Sequence, residues 1–314
     1  AWRRPRGRRG RRRSRFKEHQ MTRIGFIGLG NMGAGMAANQ AKAGREVIAF
    51  DLSADALTRA QEQGMKGAAS AADACKDVDV IITMLPAGKH VREVYEQAIL
   101  PNARKDALLI DCSTIDVDSA RTVARDAAVA GFRAADAPVS GGTAAANGGT
   151  LTFMVGARDQ DFADVEEALK PMAKAIIHAG ASGAGQAAKI CNNMLLGISM
   201  IGTCEAFALA ETLGLGAQKF FDIASKASGQ NWSLTSYCPW PGPVPTAPSN
   251  RDYQGGFAAA MMLKDLKLAQ EAAASSGADT PLGGAAEALY SELVERGHAN
   301  RDFSFMLEML RGRA

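Results

Sequence analysis

The stretch IGFIGLGNMG, residues 24–33, decides the fold, because a buried strand, a tight turn and the start of a helix follow one another in it. The apolar run from Ile24 to Ile27 is typical of a buried strand, and MAANQAKAG after the glycines predicts a helix that ends at Gly44. A second apolar run, VIAFD, ends at Asp51. Strand, turn, helix and strand within about 30 residues predict a parallel βαβ unit.

Three glycines of this stretch have the GxGxxG spacing of a dinucleotide-binding turn. The first glycine allows a tight turn, the second lets a pyrophosphate approach the backbone, and the third lets the helix pack on the strand. The start of the helix then points its unpaired N–H groups at the phosphates. We predict that the residues of this turn contact the cofactor: Gly28, Leu29, Gly30, Asn31, Met32 and Gly33.

Asp51 ends the second strand, 18 residues after Gly33. A carboxylate at this place accepts hydrogen bonds from the adenosine ribose hydroxyls and repels a 2′-phosphate. The sequence therefore predicts NAD rather than NADP as the cofactor. The alternative interpretation of Asp51 is a surface aspartate in a turn.

The rest of the first half repeats the alternation of strands and helices. Apolar runs predict strands in VDVIITMLP, ALLIDCST, FRAADAPV, TLTFMVG and AIIHAG, with helical segments between them. After residue 182 the pattern is helical throughout, with segments near 184–213, 217–227, 257–277, 281–296 and 302–310. We predict an α/β fold in which a Rossmann-type doubly wound sheet, residues 21–182, precedes an all-helical domain, residues 183–314.

Composition excludes several classes of protein. The 314 residues are 47% hydrophobic and 22% charged, as in an ordinary globular protein of two domains. No run of about 18 residues is free of polar and charged residues, so we predict no bilayer-spanning segment. Five cysteines without a CxxC pair favour a reducing compartment, and we predict the cytoplasm rather than the mitochondrion. The four histidines are scattered, so no metal site is predicted.

The basic residues are concentrated at the start of the chain. Residues 1–20 hold ten of the 36 basic and one of the 33 acidic residues, so this tail carries +9 and the remainder −6. An Arg-rich tail is compatible with nucleic-acid binding or with a transit peptide, although it lacks the apolar residues of an amphipathic helix. We interpret the tail as disordered or non-native, with Met21 as the start of the protein and with no nucleic-acid partner.

Three further segments of interest stand at the carboxyl ends of predicted strands, where open α/β sheets bind their ligands. Met84-Leu85-Pro86 and Cys112-Ser113-Thr114 stand at two strand ends, and either is also compatible with a simple turn. Ser140-Gly141-Gly142 follows a third strand, where its backbone N–H groups and the serine hydroxyl suit a carboxylate. A flexible turn is the alternative interpretation of this segment.

A single lysine interrupts the apolar helix that begins in GAGQAAKICNN, residues 183–193. Lys189 and Asn193 are four residues apart and share one side of this helix. A lysine whose stem packs on apolar surface while its amine reaches water is one interpretation. A proton carrier is the other, and burial would then lower its basicity toward the working pH.

Four motifs in this order and spacing, GLGNMGAGMA, DAPVSGG, GAGQAAKICNN and MMLKDLKLA, resemble those of the β-hydroxyacid dehydrogenase family. The match runs from about residue 22 to the end of the chain. The resemblance implies an NAD-dependent enzyme for a small 3-hydroxy acid that forms a homo-oligomer, a dimer or a tetramer, without a membrane partner. It implies acid–base catalysis by Lys189 with Asn193, which also orients the substrate hydroxyl.

The resemblance assigns further positions of this chain. It implies that the substrate contacts Ser140, Gly141, Gly142, Asn193 and Asp265. It implies that the cofactor contacts Leu85, Pro86, Thr114 and Lys264 in addition to the glycine turn and Asp51. His90 stands at a further cofactor-contact position, where the family pattern leads us to expect asparagine.

The long segment NWSLTSYCPWPGPVPTAPSNRDYQGG, residues 231–256, is similar to the branch of this family that oxidises 3-hydroxyisobutyrate to methylmalonate semialdehyde in valine breakdown. We expect four aromatic residues to form an apolar wall over the substrate methyl, and packing between helices or between subunits is the alternative interpretation. These residues are Trp232, Tyr237, Trp240 and Phe257. Reduction of tartronate or succinic semialdehyde is the alternative within the family. A non-catalytic dinucleotide-binding module with a nucleic-acid-binding tail is the alternative outside it.

Overall fold

A computed structural model describes residues 22–313, so the predictions for the basic tail lie outside the described residues. The strands are β1 Arg23–Ile27, β2 Glu46–Phe50, β3 Lys66–Gly67, β4 Val80–Thr83, β5 Leu108–Asp111, β6 Arg133–Asp136, β7 Val139–Ser140, β8 Leu151–Gly156 and β9 Ala173–Gly180. The helices are α1 Gly33–Lys42, α2 Ala54–Glu62, α3 Ala71–Ala74, α4 Gly88–Val94, α5 Leu100–Asn102, α6 Val117–Val129, α7 Gly142–Gly148, α8 Phe162–Leu169, α9 Ala184–Thr212, α10 Ala217–Ala224, α11 Trp232–Thr235, α12 Ala259–Ser276, α13 Pro281–Leu293 and α14 Met306–Leu310.

The strands form one sheet in the order β3-β2-β1-β4-β5-β6-β8-β7, with β9 paired to β8. All pairs from β3 to β6 are parallel. The chain runs outward from β1 to β2 and β3, and then returns to the other side of β1 for β4 and β5. The order of the strands therefore reverses between β1 and β4, and this is the place where an open α/β sheet binds its ligand.

Helices cover both faces of the parallel strands. Ile24 and Phe26 of β1 pack into one hydrophobic cluster, and Ile27 with Ile81 of β4 packs into another. Because successive side chains of a strand point to opposite faces, a strand buried on both sides is apolar at every position. This explains why these strands appear in the sequence as continuous apolar runs.

The second half of the chain is a bundle around the 29-residue helix α9. α9 packs against β8, α12, α13 and α14, so it joins the sheet to the bundle. Among the described residues α9 alone is long and apolar enough to cross a membrane, with a mean hydropathy of 1.4. About half of that window is buried inside the protein, as in the core helix of a globular protein. We propose residue 182, between β9 and α9, as the domain boundary.

The predicted fold class is confirmed, and the structure adds three details of the sheet that the sequence did not predict. β8 runs antiparallel to β6 and β7. The segment FRAADAPV forms two strands instead of one, because Pro138 has no N–H group for a ladder hydrogen bond and interrupts it. The short strand β3 was not predicted, and the long segment 231–256 includes helix α11 and a 3₁₀ turn at Pro248–Arg251.

Candidate active site

The turn after β1 has the geometry of a phosphate-binding loop. Gly28 adopts a φ of +98°, and a Cβ there would lie 2.2 Å from the carbonyl oxygen of Met84. A Cβ on Gly33 would lie 2.0 Å from the carbonyl oxygen of Gly28. The protein itself therefore requires these two glycines, the first for the turn and the second for the close contact of α1 with that turn.

Gly30 differs from both, because a Cβ there would meet no protein atom within 4 Å. It is exposed, and its φ is not among the positive values of the chain. Neither the packing nor the backbone conformation of the protein therefore requires glycine at position 30. This open space above the turn, at the start of α1, fits the pyrophosphate of a dinucleotide.

Asp51 follows β2 and lies beside this turn. Its Oδ2 accepts a hydrogen bond of 2.6 Å from the backbone N–H of Leu29, and its Oδ1 accepts one of 2.8 Å from the backbone N–H of Ser53. The carboxylate is thus held at the edge of the turn formed by residues 28–33, which we call the glycine cradle. A 2′-phosphate on the ribose would be repelled by this charge.

The loops after β4 and β5 are fastened to each other. The backbone N–H of Leu85 donates to Ser113 Oγ over 2.8 Å, and Ser113 Oγ donates to Asp111 Oδ1 over 2.6 Å. Thr83 Oγ1 donates to the same carboxylate oxygen. Burial raises the pKa of Asp111 to about 6, although these hydrogen bonds oppose the rise. The network fixes two loops that carry predicted cofactor contacts, at Leu85 and Thr114.

Lys189 and Asn193 lie on the buried side of α9 and face α12. Lys189 is 7% exposed and Asn193 is 2% exposed. Asn193 Nδ2 donates to Asp265 Oδ2 over 2.5 Å, and Asp265 is itself buried. The structure therefore brings together three residues that the sequence predicted for catalysis and substrate binding.

The charges of this site change its proton affinities. Burial lowers the pKa of Lys189 from its ordinary value of 10.5, Asp265 raises it, and Lys264 lowers it further. Burial also raises the pKa of Asp265, while both lysines and the hydrogen bond from Asn193 lower it. The direction found for Lys189 is the one expected of a lysine that exchanges protons near neutral pH.

Lys264 connects α12 to the cofactor side of the site. Its Nζ donates to the carbonyl oxygen of Thr114 over 2.7 Å. Burial lowers the pKa of Lys264, and Asp265 and Asp111 raise it. The adjacent residues Lys264 and Asp265 thus reach two different partners, the loop after β5 and the side chain of Asn193.

Ser140 ends β7 and precedes two glycines with positive φ, of which Gly141 has +136°. Helix α7 follows, and Asn39 of α1 donates from Nδ2 to the carbonyl oxygen of Ala146 over 2.7 Å. The Ser140 loop is therefore tied to the helix that follows the glycine turn. β8, the partner of β7, packs against α9, so β8 connects the strand that ends at Ser140 with the helix that carries Lys189.

His90 lies in the first turns of α4, and its Nδ1 is buried without a hydrogen-bond partner among residues 22–313. Pro86 is exposed in the loop that precedes this helix. Cofactor contact at both positions stays a prediction. No group of three or more His, Cys, Asp or Glu side chains that could hold a metal occurs in the described part of the chain.

The aromatic rings of segment 231–256 lie far from Lys189 of the same chain. Trp240 stacks on Phe207 with ring centroids 5.8 Å apart, and Asn231, next to Trp232, bonds to Thr203. Thr203 and Phe207 are 14 and 18 residues from Lys189 on α9. At the rise of an α-helix these separations are about 21 and 27 Å. Within one chain, therefore, Trp232 and Trp240 do not form the expected wall.

Tyr237 and Phe257 belong to the same distant cluster. Tyr237 stacks on Trp232, and its hydroxyl donates to Asp302 Oδ2 over 2.7 Å. The backbone N–H of Phe257 donates to the same oxygen. Packing between helical elements, the second interpretation offered by the sequence, describes these two contacts within the chain.

Three buried polar residues of the site were missed by the sequence analysis: Asp111, Asp136 and Gln186. Gln186 stands inside the quoted motif GAGQAAKICNN, and a polar residue on the apolar side of a helix is the signal that would have found it. The two aspartates are the last residues of β5 and β6. Their partners lie too far along the chain for local patterns to indicate them.

The glycine cradle with Asp51, and the buried lysine behind it, define a dehydrogenase that uses a nicotinamide dinucleotide. The family model described as the NAD binding domain of 6-phosphogluconate dehydrogenase matches residues 23–180. The model described as NAD-binding of NADP-dependent 3-hydroxyisobutyrate dehydrogenase matches residues 183–310. The chain belongs to the 3-hydroxyisobutyrate dehydrogenase family of NAD-dependent β-hydroxyacid dehydrogenases, and its cofactor is NAD.

Named relatives resemble the chain over nearly its full length. A probable 3-hydroxyisobutyrate dehydrogenase of Mycobacterium tuberculosis is 48% identical over 94% of this chain and 99% of its own. An NAD-dependent L-serine dehydrogenase of Pseudomonas aeruginosa is 47% identical over 92% of this chain and 98% of its own. The solved structure of Mycobacterium tuberculosis 3-hydroxyisobutyrate dehydrogenase with L-serine has a TM-score of 0.90 at 48% identity, and covers 93% of this chain and 100% of that one.

Proposed function

We propose that this enzyme oxidises 3-hydroxyisobutyrate to methylmalonate semialdehyde, the step used in valine breakdown, with Lys189 as the acid–base group. The observation that carries the proposal is the buried Lys189 beside the Asn193–Asp265 pair. Burial of a charged amine costs free energy unless the charge is paired, so burial favours the neutral form and lowers the pKa of Lys189. A residue kept in such a place is a candidate for proton transfer. The similarity of segment 231–256 to the 3-hydroxyisobutyrate branch supports the choice of substrate.

In the proposed reaction each residue has one task. The Ser140 hydroxyl and the N–H groups of Gly141 and Gly142 bind the substrate carboxylate. Asn193, oriented by Asp265, holds the substrate hydroxyl toward Lys189. Neutral Lys189 accepts the proton of the substrate hydroxyl. A hydrogen of the carbon that bears this hydroxyl leaves together with the electron pair of its C–H bond, as a hydride. When bound, NAD supplies the acceptor for that hydride.

L-Serine is the second candidate, because the Pseudomonas aeruginosa relative is named as an L-serine dehydrogenase. Initial rates of NAD reduction with 3-hydroxyisobutyrate, L-serine, 3-hydroxypropionate, glycerate and 4-hydroxybutyrate test the choice. We expect the highest kcat/KM for 3-hydroxyisobutyrate, with 3-hydroxypropionate lower by about 10- to 200-fold for its missing methyl. A highest value for L-serine would select the second candidate.

The other outcomes of this panel select the remaining members of the family. A highest kcat/KM for glycerate would indicate a tartronate semialdehyde reductase, and a highest value for 4-hydroxybutyrate would indicate a succinic semialdehyde reductase. Either result contradicts the proposed substrate and leaves the role of Lys189 intact, because all these reactions need the same proton transfer.

We also propose that the enzyme is a cytoplasmic homo-oligomer, a dimer or a tetramer. Leu195 and Leu209 are exposed on the outer side of α9, and Leu213 and Leu282 are exposed nearby in the chain's helical half. Burying such residues against a second copy would remove apolar surface from water. Light scattering of the purified protein tests the assembly, and a monomer at micromolar concentration would contradict it. Cell fractionation tests the compartment.

A further inference from the structure

Gln186 is a fully buried side chain that joins the catalytic helix to the cofactor-binding sheet. Its Nε2 donates to the carbonyl oxygen of Ser113 over 2.7 Å, and its Oε1 accepts from the backbone N–H of Ile115 over 3.1 Å. These two backbone groups flank Thr114, whose carbonyl oxygen accepts from Lys264. A single carboxamide therefore holds both sides of one three-residue loop.

The loop held by Gln186 also belongs to the cofactor side of the site. Ser113 Oγ accepts from the backbone N–H of Leu85 and donates to the buried carboxylate of Asp111. Movement of the segment 113–115 would therefore move the loop after β4 as well. Gln186 thus connects α9 to two loops at the carboxyl ends of parallel strands.

A second contact fixes the N-terminal end of the same helix, α9. Asp136, which ends β6, accepts hydrogen bonds from the backbone N–H groups of Gly183 and Gln186 over 2.6 and 2.9 Å. A carboxylate in this place satisfies N–H groups that the first turn of a helix leaves unpaired. Asp136 therefore fixes the start of α9, and Gln186 fixes its rotation against the loop after β5.

Lys189 follows Gln186 by three residues on this helix. At the rise of an α-helix their Cα atoms are about 4.5 Å apart along the axis, on nearly the same side. A rotation or slide of the first turn of α9 would consequently displace the Lys189 amine relative to the loops that hold the cofactor.

We propose that Gln186 is a positioning residue, whose paired hydrogen bonds to Ser113 and Ile115 set the distance between Lys189 and the bound nicotinamide. The proposal rests on the proposed catalytic role of Lys189. It predicts that loss of the carboxamide slows proton and hydride transfer more than it weakens NAD binding, because the glycine turn and Asp51 follow β1 and β2 and only the predicted cofactor contacts at Leu85 and Thr114 depend on the loop that Gln186 holds.

Gln186→Leu tests this prediction with a side chain of similar size that forms neither hydrogen bond. We expect kcat to fall about 10- to 100-fold, the effect of misplacing a reacting group by about 1 Å. The NAD dissociation constant should rise by a smaller factor than the one by which kcat falls. The primary isotope effect, measured with substrate deuterated at the carbon that bears the hydroxyl, should rise as hydride transfer limits the rate more strongly.

Gln40→Leu is the matched control. Gln40 is also fully buried, donates to the carbonyl oxygen of Ala168 over 3.0 Å, and accepts from Arg45 over 2.8 Å, so it loses two comparable hydrogen bonds. These partners belong to the contact of α1 with α8 rather than to α9. The inference is overturned if Gln186→Leu keeps kcat within about twofold of the parent, or lowers it no more than Gln40→Leu does.

Gln186→Glu adds a readout that a purely structural role would not change. A protonated carboxyl group offers one donor and one acceptor, as the carboxamide does, whereas a carboxylate only accepts. The contacts above link this position to Asp136, Asp111, Lys189 and Lys264, and the Arg121 side chain of α6 lies against Gly183 at the start of the same helix. The ratio of the variant's kcat to that of the parent should be highest at low pH and fall as the introduced carboxyl group ionises.

A ratio that is flat between about pH 5 and pH 9 contradicts the inference, even if Gln186→Leu does not fold. Lys189→Met, measured in the same assay, separates the two proposals. Near-normal turnover of Lys189→Met would refute the catalytic role of Lys189. Lost turnover of Lys189→Met together with unaffected Gln186 variants would refute only the positioning role.

Discussion

Replacement of Gly30 by alanine should weaken NAD binding without destabilising the NAD-free protein. A Cβ at this position meets no protein atom within 4 Å, and the backbone there has no positive φ. The folded protein accepts the methyl group, and the unfolded chain loses freedom, so the free energy of unfolding should rise by about 0.4–1 kcal/mol. The methyl instead occupies the space that we assign to the pyrophosphate.

The expected loss of affinity follows from the hydrogen bonds that the methyl group prevents. One or two charge-assisted bonds from backbone N–H groups to phosphate oxygens are worth about 1.5–3 kcal/mol each. The NAD dissociation constant of Gly30→Ala should therefore rise by at least about tenfold. Isothermal titration with NAD measures the affinity, and urea unfolding of the NAD-free protein measures the stability.

Two other glycines provide controls with different physical causes. Gly28→Ala places a Cβ 2.2 Å from a carbonyl oxygen at a φ of +98°, so it should destabilise the protein by about 2 kcal/mol or more. Gly44→Ala, at a φ of +81° in open space, should cost about 1 kcal/mol and leave NAD affinity unchanged. An unchanged NAD dissociation constant for Gly30→Ala would refute the assignment of the cradle.

Four further predictions concern the charges of the site. Lys189→Met should lower kcat at least about 100-fold with little change in NAD affinity, and near-normal steady-state turnover would contradict the acid–base assignment. Oxidation needs Lys189 without its proton, so kcat/KM should rise with pH and level off above a pKa that burial holds below 10.5. Because Asp265 raises that pKa, Asp265→Asn should move the rising limb to lower pH, and a shift to higher pH in the rate profile would exclude this electrostatic role. Asp51→Asn should weaken NAD and raise the kcat/KM ratio of NADP to NAD, whereas a parent enzyme that already prefers NADP would show that our interpretation of Asp51 is wrong.

Sequence patterns predicted the elements whose structure is determined by residues close together in the chain. The turn at 28–33 and the first two strands follow from glycine conformation and apolar runs, which short segments express by themselves. The direction of β8 was not predicted, because an apolar run carries no information about whether its neighbour is parallel or antiparallel. The sequence left open whether the aromatic rings line the substrate or pack between helices, because their position depends on how α9 and segment 231–256 pack together.

The contacts of Gln186 show a second limit of sequence analysis. Its partners, Ser113 and Ile115, are more than 70 residues away along the chain, and Asp136 is 50 residues away. No local period or spacing records such pairings. The motif GAGQAAKICNN was recognised by its resemblance to the family, which implied roles for Lys189 and Asn193. The resemblance implied no role for Gln186.

An aspartate ends or directly follows three strands of the sheet, Asp51 after β2, Asp111 in β5 and Asp136 in β6, and their different environments show what strand order adds to sequence. From the sequence each is an acid after an apolar or small-residue strand, and each would suit a ribose hydroxyl. β2 lies next to β1 on the side away from β4, so only Asp51 stands beside the glycine turn, held by the N–H of Leu29.

The other two aspartates lie under the site rather than in it. Asp111 is buried below the loops after β4 and β5, where three protein donors occupy its Oδ1 and burial raises its pKa to about 6. Asp136 caps α9. Aspartates at similar places on their strands thus have different roles, because the strand order gives each of them different neighbours. Asp51 selects the cofactor, Asp111 attaches two loops to each other, and Asp136 attaches α9 to the sheet. If this reasoning holds, Asp136→Asn should lower kcat and leave the NADP to NAD ratio unchanged, and a changed ratio in the kinetic assay would contradict it.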